Sequence, residues 1–314
     1  MNKDATILVT GAAGFIGSHL VRKLVRDGFR VTALVKNTSD LWRIKDIASA
    51  IDFCEADVLD FDNLKQQLET IKPQGVFHLA ASNIRSGITA PDADVVNINI
   101  LGTRNLLQAM ASMDYDFFVN MGSFLEYGPK PVAVREDALC SPTELYSVTK
   151  LAATLYGQTV AKNNNRPVIT FRLFTPYGPT IQPGRLVYEL VNRALKNEEI
   201  NLTKPKIARD FIYVEDLVEL LVESADKARD YKGEVFNAGS GQAVSLEQLA
   251  HEVLKITASH SKIKWGSFSV QAYDTELWQA DMMKTWSHFK WRPKYSLADG
   301  LAATADWFRN NQVT

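Results

Sequence analysis

Tyr146 and Lys150 stand four residues apart in the segment Tyr-Ser-Val-Thr-Lys. On a helix this spacing places the phenol and the ammonium group on one face, one turn apart. A neighbouring cation favours the phenolate, so we expect Lys150 to lower the pKa of Tyr146 from its ordinary value of about 10. The pair is therefore a candidate for proton transfer to or from a substrate oxygen near neutral pH.

Ser123 is a third candidate, because it follows the predicted buried strand Phe117–Met121. The carboxyl ends of the strands in an open parallel sheet form the edge at which such folds bind ligands. A hydroxyl group at that edge can hydrogen-bond a reacting carbonyl or alcohol. A turn serine without a chemical role is the competing interpretation.

A glycine-rich segment, Gly11-Ala-Ala-Gly14-Phe-Ile-Gly17, lies between the predicted strand Thr6–Thr10 and a predicted helix, Phe15–Asp27. Glycines at such a turn let backbone amides and the helix N-terminus approach a pyrophosphate, which larger side chains would block. The segment predicts a dinucleotide site, and a tight turn without a ligand is the alternative. The residues that we expect to contact the cofactor here are Gly11, Gly14, Phe15, Ile16 and Gly17.

The end of the second predicted strand bears on the choice of cofactor. An Asp or Glu about 20 residues after the glycines holds the ribose hydroxyls of NAD(H), whereas a basic residue suits the 2′-phosphate of NADP(H). This chain reads Leu34-Val35-Lys36-Asn37, with a cation and no acid. We therefore expect Lys36 to contact NADP(H), with NAD(H) and a merely solvated lysine as the alternatives.

The elements that must position these residues follow a βαβ pattern. Short β-branched runs alternate with helical patterns, which is typical of a parallel sheet covered on both faces. We predict an α/β fold, a doubly wound (Rossmann-type) parallel sheet with a smaller C-terminal α/β substrate-binding region. The dinucleotide-binding domain would span residues 1–174, with 210–238 returning to it, and the substrate-binding domain would span 175–209 and 239–314.

Individual elements follow from apolar spacing and capping signals. After the first strand and helix, further strands are predicted to begin near Arg30 and to lie at Ile51–Glu55, Gly75–Leu79, Phe117–Met121, Val168–Phe174 and Val235–Asn237. Further helices are predicted at Leu64–Thr70, Val95–Ser112, Tyr146–Ala161, Leu186–Lys196 and, after the capping box that starts at Ser245, at Leu246–Thr257.

The composition excludes several classes of protein. The 314 residues are 46% hydrophobic and 23% charged, which is ordinary globular usage. Lys and Arg (35) balance Asp and Glu (36), so nothing favours a nucleic acid or a membrane as partner. Cys54 and Cys140 show no CxxC spacing and the N-terminus has no secretory pattern, so we expect a cytoplasmic protein without disulfides. The five histidines lack metal-site spacing, and we predict no metal.

The ordered motifs resemble the extended short-chain dehydrogenase/reductase family, of the NAD-dependent epimerase/dehydratase type, and especially its nucleotide-sugar epimerases, dehydratases and ketoreductases. The resemblance covers almost the whole chain. The matching segments are TGAAGFIGSHL (Thr10–Leu20), Asp57, HLAA (His78–Ala81), NINILGTRNLL (Asn97–Leu107), Ser123, YSVTK, FRLFTPYGP (Phe171–Pro179), RDFIYVEDL (Arg209–Leu217), NAGSG (Asn237–Gly241) and the closing WRPKYSLADGLAATADWF.

The resemblance implies a role for each residue that could do chemistry. Tyr146 would be the general acid/base, Lys150 would hold the nicotinamide ribose, and Ser123 would orient the substrate oxygen. Asn99 would support the active-site geometry. The substrate would be a nucleotide-diphosphate sugar.

The other matches imply binding residues. Asp57 and Val58 would line the adenine pocket, while Leu79, Ala80 and Ala81 would pass beside the cofactor. On the substrate side the implied residues are Arg209 at the diphosphate, Arg185 as a second candidate for that contact, and Thr175, where the family has Asn.

Departures from the family pattern narrow the chemistry. Sugar-nucleotide 4,6-dehydratases carry Thr-Asp-Glu before a Tyr-Gly pair, because water elimination needs its own acid and base. Here Phe124 and Leu125 cannot transfer protons, and Glu126 stands one place too late unless a bulged loop moves it. The cysteine that follows the catalytic serine in GDP-fucose-type epimerising reductases is also absent.

Two chemistries therefore remain. The main prediction is NADPH-dependent reduction of a nucleotide-linked 4-keto-6-deoxy sugar, favoured by Lys36 and by a resemblance of GSFLEYG to the SxxEYG segment of CDP- and GDP-linked deoxysugar 4-reductases. The alternative is a nucleotide-sugar 4-epimerase with tightly bound NAD. A non-catalytic NADP(H)-binding regulator is a minor alternative, which the retention of Ser123, Tyr146 and Lys150 disfavours. The resemblance further implies a homodimer.

Overall fold

One large parallel sheet and two small sheets organise the chain in the computed structural model, which describes residues 1–82, 91–268 and 275–311. In chain order the strands are β1 (Thr6–Thr10), β2 (Arg30–Val35), β3 (Asp52–Glu55), β4 (Gly75–His78), β5 (Phe117–Ser123), β6 (Val168–Leu173), β7 (Thr175–Tyr177), β8 (Ile200–Asn201), β9 (Ala208–Tyr213), β10 (Val235–Ala238), β11 (Ala243–Ser245), β12 (Ile263–Lys264) and β13 (Leu277–Trp278). The large sheet has the order β10-β6-β5-β4-β1-β2-β3. The chain thus winds from β1 to one edge and then to the other, which confirms the predicted doubly wound fold.

Helices cover both faces of the large sheet. In chain order they are α1 (Phe15–Arg26), α2 (Phe61–Ile71), α3 (Asp92–Val96), α4 (Thr103–Ala109), α5 (Leu145–Asn164), α6 (Leu186–Leu195), α7 (Val214–Ala225), α8 (Leu246–Thr257), α9 (Met283–His288) and α10 (Leu297–Asn311). Leu24 of α1 and Leu221 of α7 lie in the core on one face, while Leu68 of α2 and Leu106 of α4 lie in the core on the other.

The β1 sequence shows why a central strand forms here. Its side chains alternate between the two cores, with Ile7 and Val9 in one and Leu8 in the other, and all three are fully buried. A strand covered on both faces must be apolar at every such position, which the run Ile-Leu-Val provides. The polar residue Thr10 ends the strand at the carboxyl edge.

The chain after β6 builds a separate apolar core with α6, α8 and α10, to which Leu190, Val253 and Leu301 contribute. Beside it, β7, β9, β11 and β13 form a small mixed sheet, and β8 pairs with β12. Between these elements the chain returns to the large sheet through α7 and β10.

Several predicted element bounds differ from the structure by one to three residues, and two differences bear on the site. The single helix predicted at Val95–Ser112 is interrupted, because a π-helical turn at Asn97–Gly102 separates α3 from α4. Apolar spacing does not reveal the extra residue that such a turn accommodates. Ser123 is the last residue of β5 rather than a residue after it, and a 3₁₀ helix begins next, at Phe124–Tyr127.

Other features of the described residues complete the frame. The strand predicted at Thr6–Thr10 and the helix at Leu246–Thr257 are confirmed with the same bounds. Cys54 and Cys140 are both free. None of the described helices has the length and apolar character needed to cross a membrane.

Candidate active site

The glycine turn between β1 and α1 packs too closely for side chains. Gly11 has φ +67°, and a Cβ on it would lie 2.8 Å from the backbone nitrogen of Ala80. A Cβ on Gly17 would lie 2.1 Å from the carbonyl oxygen of Gly11. Gly14 is the N-cap of α1, and the first turn of this helix carries no acidic side chain. The partial positive charge at the helix N-terminus is therefore not neutralised from within that turn. Phe15 and Ile16 of that turn are half-buried.

A chain of uncharged groups joins the ends of β1 and β4. The Thr10 hydroxyl accepts hydrogen bonds from the backbone N–H groups of Leu79 (3.2 Å) and Ala80 (3.1 Å) and lies 2.8 Å from Nδ1 of His78. Having accepted twice, it donates its proton to that nitrogen. His78 Nε2 therefore carries the ring proton and donates to the Thr103 hydroxyl at 3.0 Å.

Burial lowers the pKa of His78 to about 3, and the charge of Lys150 acts in the same direction. His78 is therefore neutral at physiological pH. The Thr103 hydroxyl in turn donates a hydrogen bond to the backbone carbonyl of Asn99 at 2.8 Å. We call Thr10, His78, Thr103 and Asn99 the neutral network.

Asn99 extends this network to the helix that carries the candidate catalytic pair. Its amide nitrogen donates to the Ser82 carbonyl and to the Thr149 hydroxyl, both at 2.9 Å, and its amide oxygen accepts from the Ser82 N–H at 2.9 Å. The side chain is buried and fully bonded. Asn99 thus ties the segment after β4, which includes exposed Ala81, to the residue preceding Lys150.

Tyr146 and Lys150 lie in the first two turns of α5, and Ser123 lies at the end of β5. Burial raises the pKa of Tyr146 to about 12, although the charge of Arg185 and a hydrogen bond with Ser123 act to lower it. The predicted lowering of the Tyr146 pKa is therefore not found, because removal from water penalises the phenolate more than its neighbours favour it.

Lys150 is affected by the same burial in the opposite sense. Burial lowers the pKa of its ammonium to about 8, against the raising effect of the Glu126 charge. In this arrangement Tyr146 is protonated and can donate a proton, while Lys150 can exchange one near neutral pH. Together with the Ser123 hydroxyl they supply a donor, a proton-exchanging cation and an orienting group.

Glu126 has a position that the sequence does not reveal. Its carboxylate is fully buried, with the Arg172 Nε at 2.8 Å, and it also accepts from the Ser123 N–H (2.8 Å) and the Thr154 hydroxyl (3.1 Å). We call Glu126, Arg172 and Thr154 the ionic network. No bulged loop turns the carboxylate outward, because a regular 3₁₀ turn and three donors hold it inside. Its partner Arg172 is 46 residues away in sequence, so spacing could not have identified it.

The two residues before Glu126 are packed as apolar side chains. Phe124 stacks on Phe174 with ring centroids 5.3 Å apart, and it meets Trp278 edge-on at 4.7 Å. Leu125 packs against the same core. Neither position offers a group that could transfer a proton.

Lys36 has a carboxylate beside it. Its ammonium lies 3.2 Å from Oδ2 of Asp57, and both side chains are substantially exposed. The other oxygen of Asp57 accepts from the Leu59 N–H at 2.9 Å. Val58 is buried, and its carbonyl accepts from the Asn105 side chain at 3.0 Å. An acid is therefore present at this end of the sheet, supplied after β3 rather than at the end of β2.

The candidate substrate residues lie on separate elements. Thr175 opens β7 and pairs with Phe211 of β9. Arg185 is the exposed N-cap of α6, and its charge acts to lower the pKa of Tyr146. Arg209 lies on β9, where its guanidinium donates to the carbonyl of Thr275 at 3.2 Å. Within residues 1–82, 91–268 and 275–311, no cluster of three or more His, Cys, Asp and Glu could hold a metal ion.

A doubly wound sheet with a close-packed glycine turn, and a Ser, Tyr and Lys set at its carboxyl edge, define an extended short-chain dehydrogenase/reductase. The family model described as the NAD dependent epimerase/dehydratase family matches residues 7–239. The chain belongs to this family.

Relatives that match almost the full chain narrow the class. The UDP-glucuronate 4-epimerase of Thermodesulfobacterium geofontis (strain OPF15) is 28% identical over 317 residues, covering 97% of this chain and 96% of the relative. The dTDP-D-glucose 4,6-dehydratase of Homo sapiens is 27% identical over 318 residues, covering 97% and 90%. The crystal structure of UDP-glucuronic acid 4-epimerase from Bacillus cereus with UDP-glucuronic acid and NAD superposes with a TM-score of 0.87 at 30% identity, covering 98% and 99%. The chain is thus an enzyme of the nucleotide-sugar epimerase and dehydratase type.

Proposed function

We propose that the protein is a nucleotide-sugar 4-epimerase that works with tightly bound NAD. The groups for this chemistry are Ser123, Tyr146 and Lys150 at the carboxyl edge of the large sheet. The observation that favours an epimerase over a reductase is the Asp57 carboxylate beside the Lys36 ammonium. Similarity along the whole chain to 4-epimerases supports it further. In this proposal Tyr146 exchanges a proton with the C4 oxygen of the sugar, and Ser123 hydrogen-bonds the same oxygen.

The glycine turn fits a dinucleotide, because Cβ atoms on Gly11 and Gly17 would collide with the backbone of the close-packed turn, and the first turn of α1 carries no acidic side chain that would repel a pyrophosphate. A bound nicotinamide dinucleotide would supply the acceptor and donor for the hydride that leaves and returns to C4 of the sugar. We assign cofactor binding to Gly11, Gly14, Phe15, Ile16, Gly17, Lys36, Asp57, Val58, Leu79, Ala80, Ala81, Tyr146 and Lys150. We assign substrate binding to Ser123, Thr175, Arg185 and Arg209, and support of the geometry to Asn99.

The Lys36–Asp57 pair favours NAD over NADP(H). A 2′-phosphate needs an uncompensated cation, whereas the carboxylate of Asp57 lies 3.2 Å from the Lys36 ammonium. The same carboxylate is an acceptor suited to ribose hydroxyls. The solved epimerase neighbour also contains NAD. The expectation of NADP(H) rested on Lys36 considered without this partner.

A dehydratase is disfavoured although one relative carries that name. Elimination of water requires an acid and a base beyond the tyrosine. Phe124 and Leu125 fill two of those positions with apolar side chains, and the Glu126 carboxylate is occupied by three donors.

The second candidate is the NADPH-dependent reductase of a nucleotide-linked 4-keto-6-deoxy sugar. The observation in its favour is Lys36 at the end of β2 without an acid on that strand. The two candidates use the same Ser123, Tyr146 and Lys150 and differ in the net redox change.

The deciding experiment compares the two directly. Purified protein is denatured and its released nucleotide identified, and the enzyme is then assayed with UDP-, dTDP-, GDP- and CDP-linked sugars and 4-keto-6-deoxy sugars, with Tyr146→Phe as the control. Retained NAD with interconversion of two C4 epimers, absent in Tyr146→Phe, supports the epimerase. Stoichiometric loss of added NADPH would instead support the reductase. Wild-type and Tyr146→Phe protein that behave alike would refute both.

We also propose that the enzyme is a cytoplasmic homodimer and that the domain division predicted from the sequence holds. Leu101 of the π-helical turn and Val148 and Leu155 of α5 are large apolar side chains exposed on the surface. Burying such a surface against a second copy would remove it from water. Light scattering should give twice the monomer mass for the wild type and the monomer mass for Leu155→Asp.

A further inference from the structure

The Glu126 carboxylate lies in a buried site that is lined by residues from several separate parts of the chain. Gly122 leaves the room, because a Cβ there would lie 2.5 Å from Glu126 Oε1 and 3.2 Å from the Thr154 hydroxyl. The Ser123 N–H and the Thr154 hydroxyl donate to Oε1, and Arg172 donates to Oε2. With three donors, the buried carboxylate has the hydrogen-bond partners that it needs in place of water.

Arg172 is held as firmly as its partner. Its guanidinium lies over the Tyr127 ring, 4.4 Å from the centroid, and donates to the Cys140 sulfur at 3.1 Å and to the Glu136 carbonyl at 3.3 Å. Arg172 stands directly across from Gly122 in the β5–β6 register. The positive end of the pair is therefore fixed on the strand next to the one that carries Ser123.

The same carboxylate determines how Ser123 presents its hydroxyl. Ser123 and Glu126 form a reciprocal capping box, in which Ser123 Oγ accepts from the Leu125 N–H at 3.2 Å while Glu126 accepts from the Ser123 N–H at 2.8 Å. One lone pair of Oγ is thereby committed to the backbone. The hydroxyl proton is left to be donated elsewhere, towards Tyr146 or a substrate oxygen.

The third bond of Glu126 reaches the helix of the candidate catalytic pair. Thr154 is one turn beyond Lys150 and two turns beyond Tyr146, so the three residues share a face of α5. Through Thr154 and Ser123, one side chain connects α5 to the end of β5. These are the two elements whose separation sets the distance between the phenol and the serine hydroxyl.

We propose that Glu126 is a positioning residue, which together with Arg172 fixes the Ser123 hydroxyl and the Tyr146–Lys150 helix relative to each other for the reaction. This inference rests on the proposed function of Ser123, Tyr146 and Lys150. Glu126 does not touch the substrate. It acts through the serine backbone and through Thr154.

The charge of Glu126 gives this role an electrostatic signature. Its field raises the pKa values of both Tyr146 and Lys150. Among the residues that the structure describes, Arg185 also acts on Tyr146 and lowers its pKa, and Glu144 acts to raise it. Loss of the Glu126 charge should therefore move the titration of the catalytic pair to lower pH.

The test is Glu126→Gln, which keeps the shape and removes the charge, with Thr154→Val as a second variant that keeps the charge and removes one donor. Glu223→Gln is the matched control, because Glu223 also accepts from backbone N–H groups, those of Lys290 and Trp291. We expect Glu126→Gln to lower kcat by about 10- to 100-fold at a nearly unchanged KM and to shift the pH profile of kcat to lower pH. Thr154→Val should lower kcat by a few fold and leave the pH profile in place.

Amide hydrogen exchange at Ser123 provides a readout independent of turnover, and it should speed up in Glu126→Gln and stay unchanged in Glu223→Gln. The positioning role is overturned if Glu126→Gln leaves kcat, pH profile and Ser123 exchange as in the wild type, or if Glu223→Gln reproduces its effects. Wild-type protein that turns over no nucleotide sugar refutes the proposed function alone. In that case, unchanged Ser123 exchange in both Glu126→Gln and Thr154→Val overturns the positioning role separately.

Discussion

Two buried polar networks lie at the carboxyl edge of the same sheet, and they are built from different chemistry. The neutral network at the ends of β1 and β4 uses hydroxyls, an amide and an uncharged imidazole. The ionic network at the end of β5 uses a carboxylate and a guanidinium with almost no exposure to water. Lys150 interacts with both networks. Its charge lowers the pKa of His78, and the charge of Glu126 acts to raise the pKa of Lys150 against the lowering effect of burial.

The difference shows how each network responds to damage. When a neutral group loses its partner, one hydrogen bond is lost and one polar group stays buried without a partner. The free energy of unfolding then falls by about 1 to 3 kcal/mol. A buried ion that loses its counter-ion is left as an uncompensated charge, which costs more. The ionic network therefore fixes the Ser123 backbone with a contact that is costly to break, whereas the neutral network joins the ends of β1 and β4 to α5 without adding charge.

Arg172→Met should have the largest effect on stability, because it leaves the Glu126 carboxylate buried without a cation. We expect the free energy of unfolding to fall by about 3 to 5 kcal/mol, measured by urea denaturation at pH 7. Arg193→Met is the control, since Arg193 pairs with Glu189 on an exposed helix face and should change stability by about 1 kcal/mol or less. Equal losses in the two variants would remove the distinction between buried and exposed pairs.

Lys150→Met should stabilise the protein while it removes turnover. Burial lowers the folded-state pKa of Lys150 to about 8 from 10.5, so keeping it charged at pH 7 costs folding free energy. That gap corresponds to about 3 kcal/mol, which the methionine variant should gain in urea denaturation after removal of bound nucleotide. The gain should shrink by pH 9.5, where the folded-state lysine is already neutral.

The exposed Lys162 of the same helix supplies the control, and Lys162→Met should leave stability nearly unchanged. A Lys150→Met protein no more stable than the wild type at pH 7 would mean that Glu126 fully compensates the lysine charge. The two networks would then be less different than their composition suggests.

The smallest of these effects concerns pH and His78. Its folded-state pKa of about 3 lies below the ordinary 6.5, so between these values the unfolded chain binds a proton that the folded chain does not. The protein therefore has its full stability with respect to His78 above pH 6.5, and it loses stability as the pH falls from 6.5 towards 3. From pH 6.5 to 5.0 we expect His78 to account for about 2 kcal/mol of lost stability.

His78→Gln should abolish that part of the pH dependence, as measured by denaturation at pH 7.5 and pH 5.0. His251→Gln, which removes an exposed histidine, is the comparison protein and should retain it. If wild type and His78→Gln lost stability equally on acidification, the imidazole would not be the neutral member that the hydrogen bonds indicate.

The sequence predicts those parts of the molecule that depend on local order. Thr6–Thr10, Leu246–Thr257 and the glycine turn follow from residues adjacent in the chain, and the structure has them at the predicted places. The identity of Tyr146, Lys150 and Ser123 as candidates also follows from motif and strand order. Their placement needed no knowledge of distant contacts.

The rest depends on contacts between distant segments. Glu126 looks like a misplaced acid in the sequence because its partner Arg172 lies 46 residues away, and the Asp57 carboxylate beside Lys36 is not visible from spacing either. The direction in which the pKa of Tyr146 shifts also could not be predicted from Lys150, its neighbour in the helix, because burial by the whole fold determines that direction. Spacing reveals partners within a few residues, whereas desolvation and counter-ions come from the tertiary structure.

The π-helical turn at Asn97–Gly102 makes this part of the chain more sensitive to insertions and deletions than to substitutions. Asn99 must face Ser82 and Thr149 while Thr103 faces His78, and the wider turn provides that angular offset. Each residue of a regular helix advances the direction of its side chain by about 100°. Deleting one residue between Asn99 and Thr103 would therefore turn one of them away from its partners, even though the side chain of Leu101 there is exposed. Among relatives, insertions and deletions should avoid this turn even where its outer residues change.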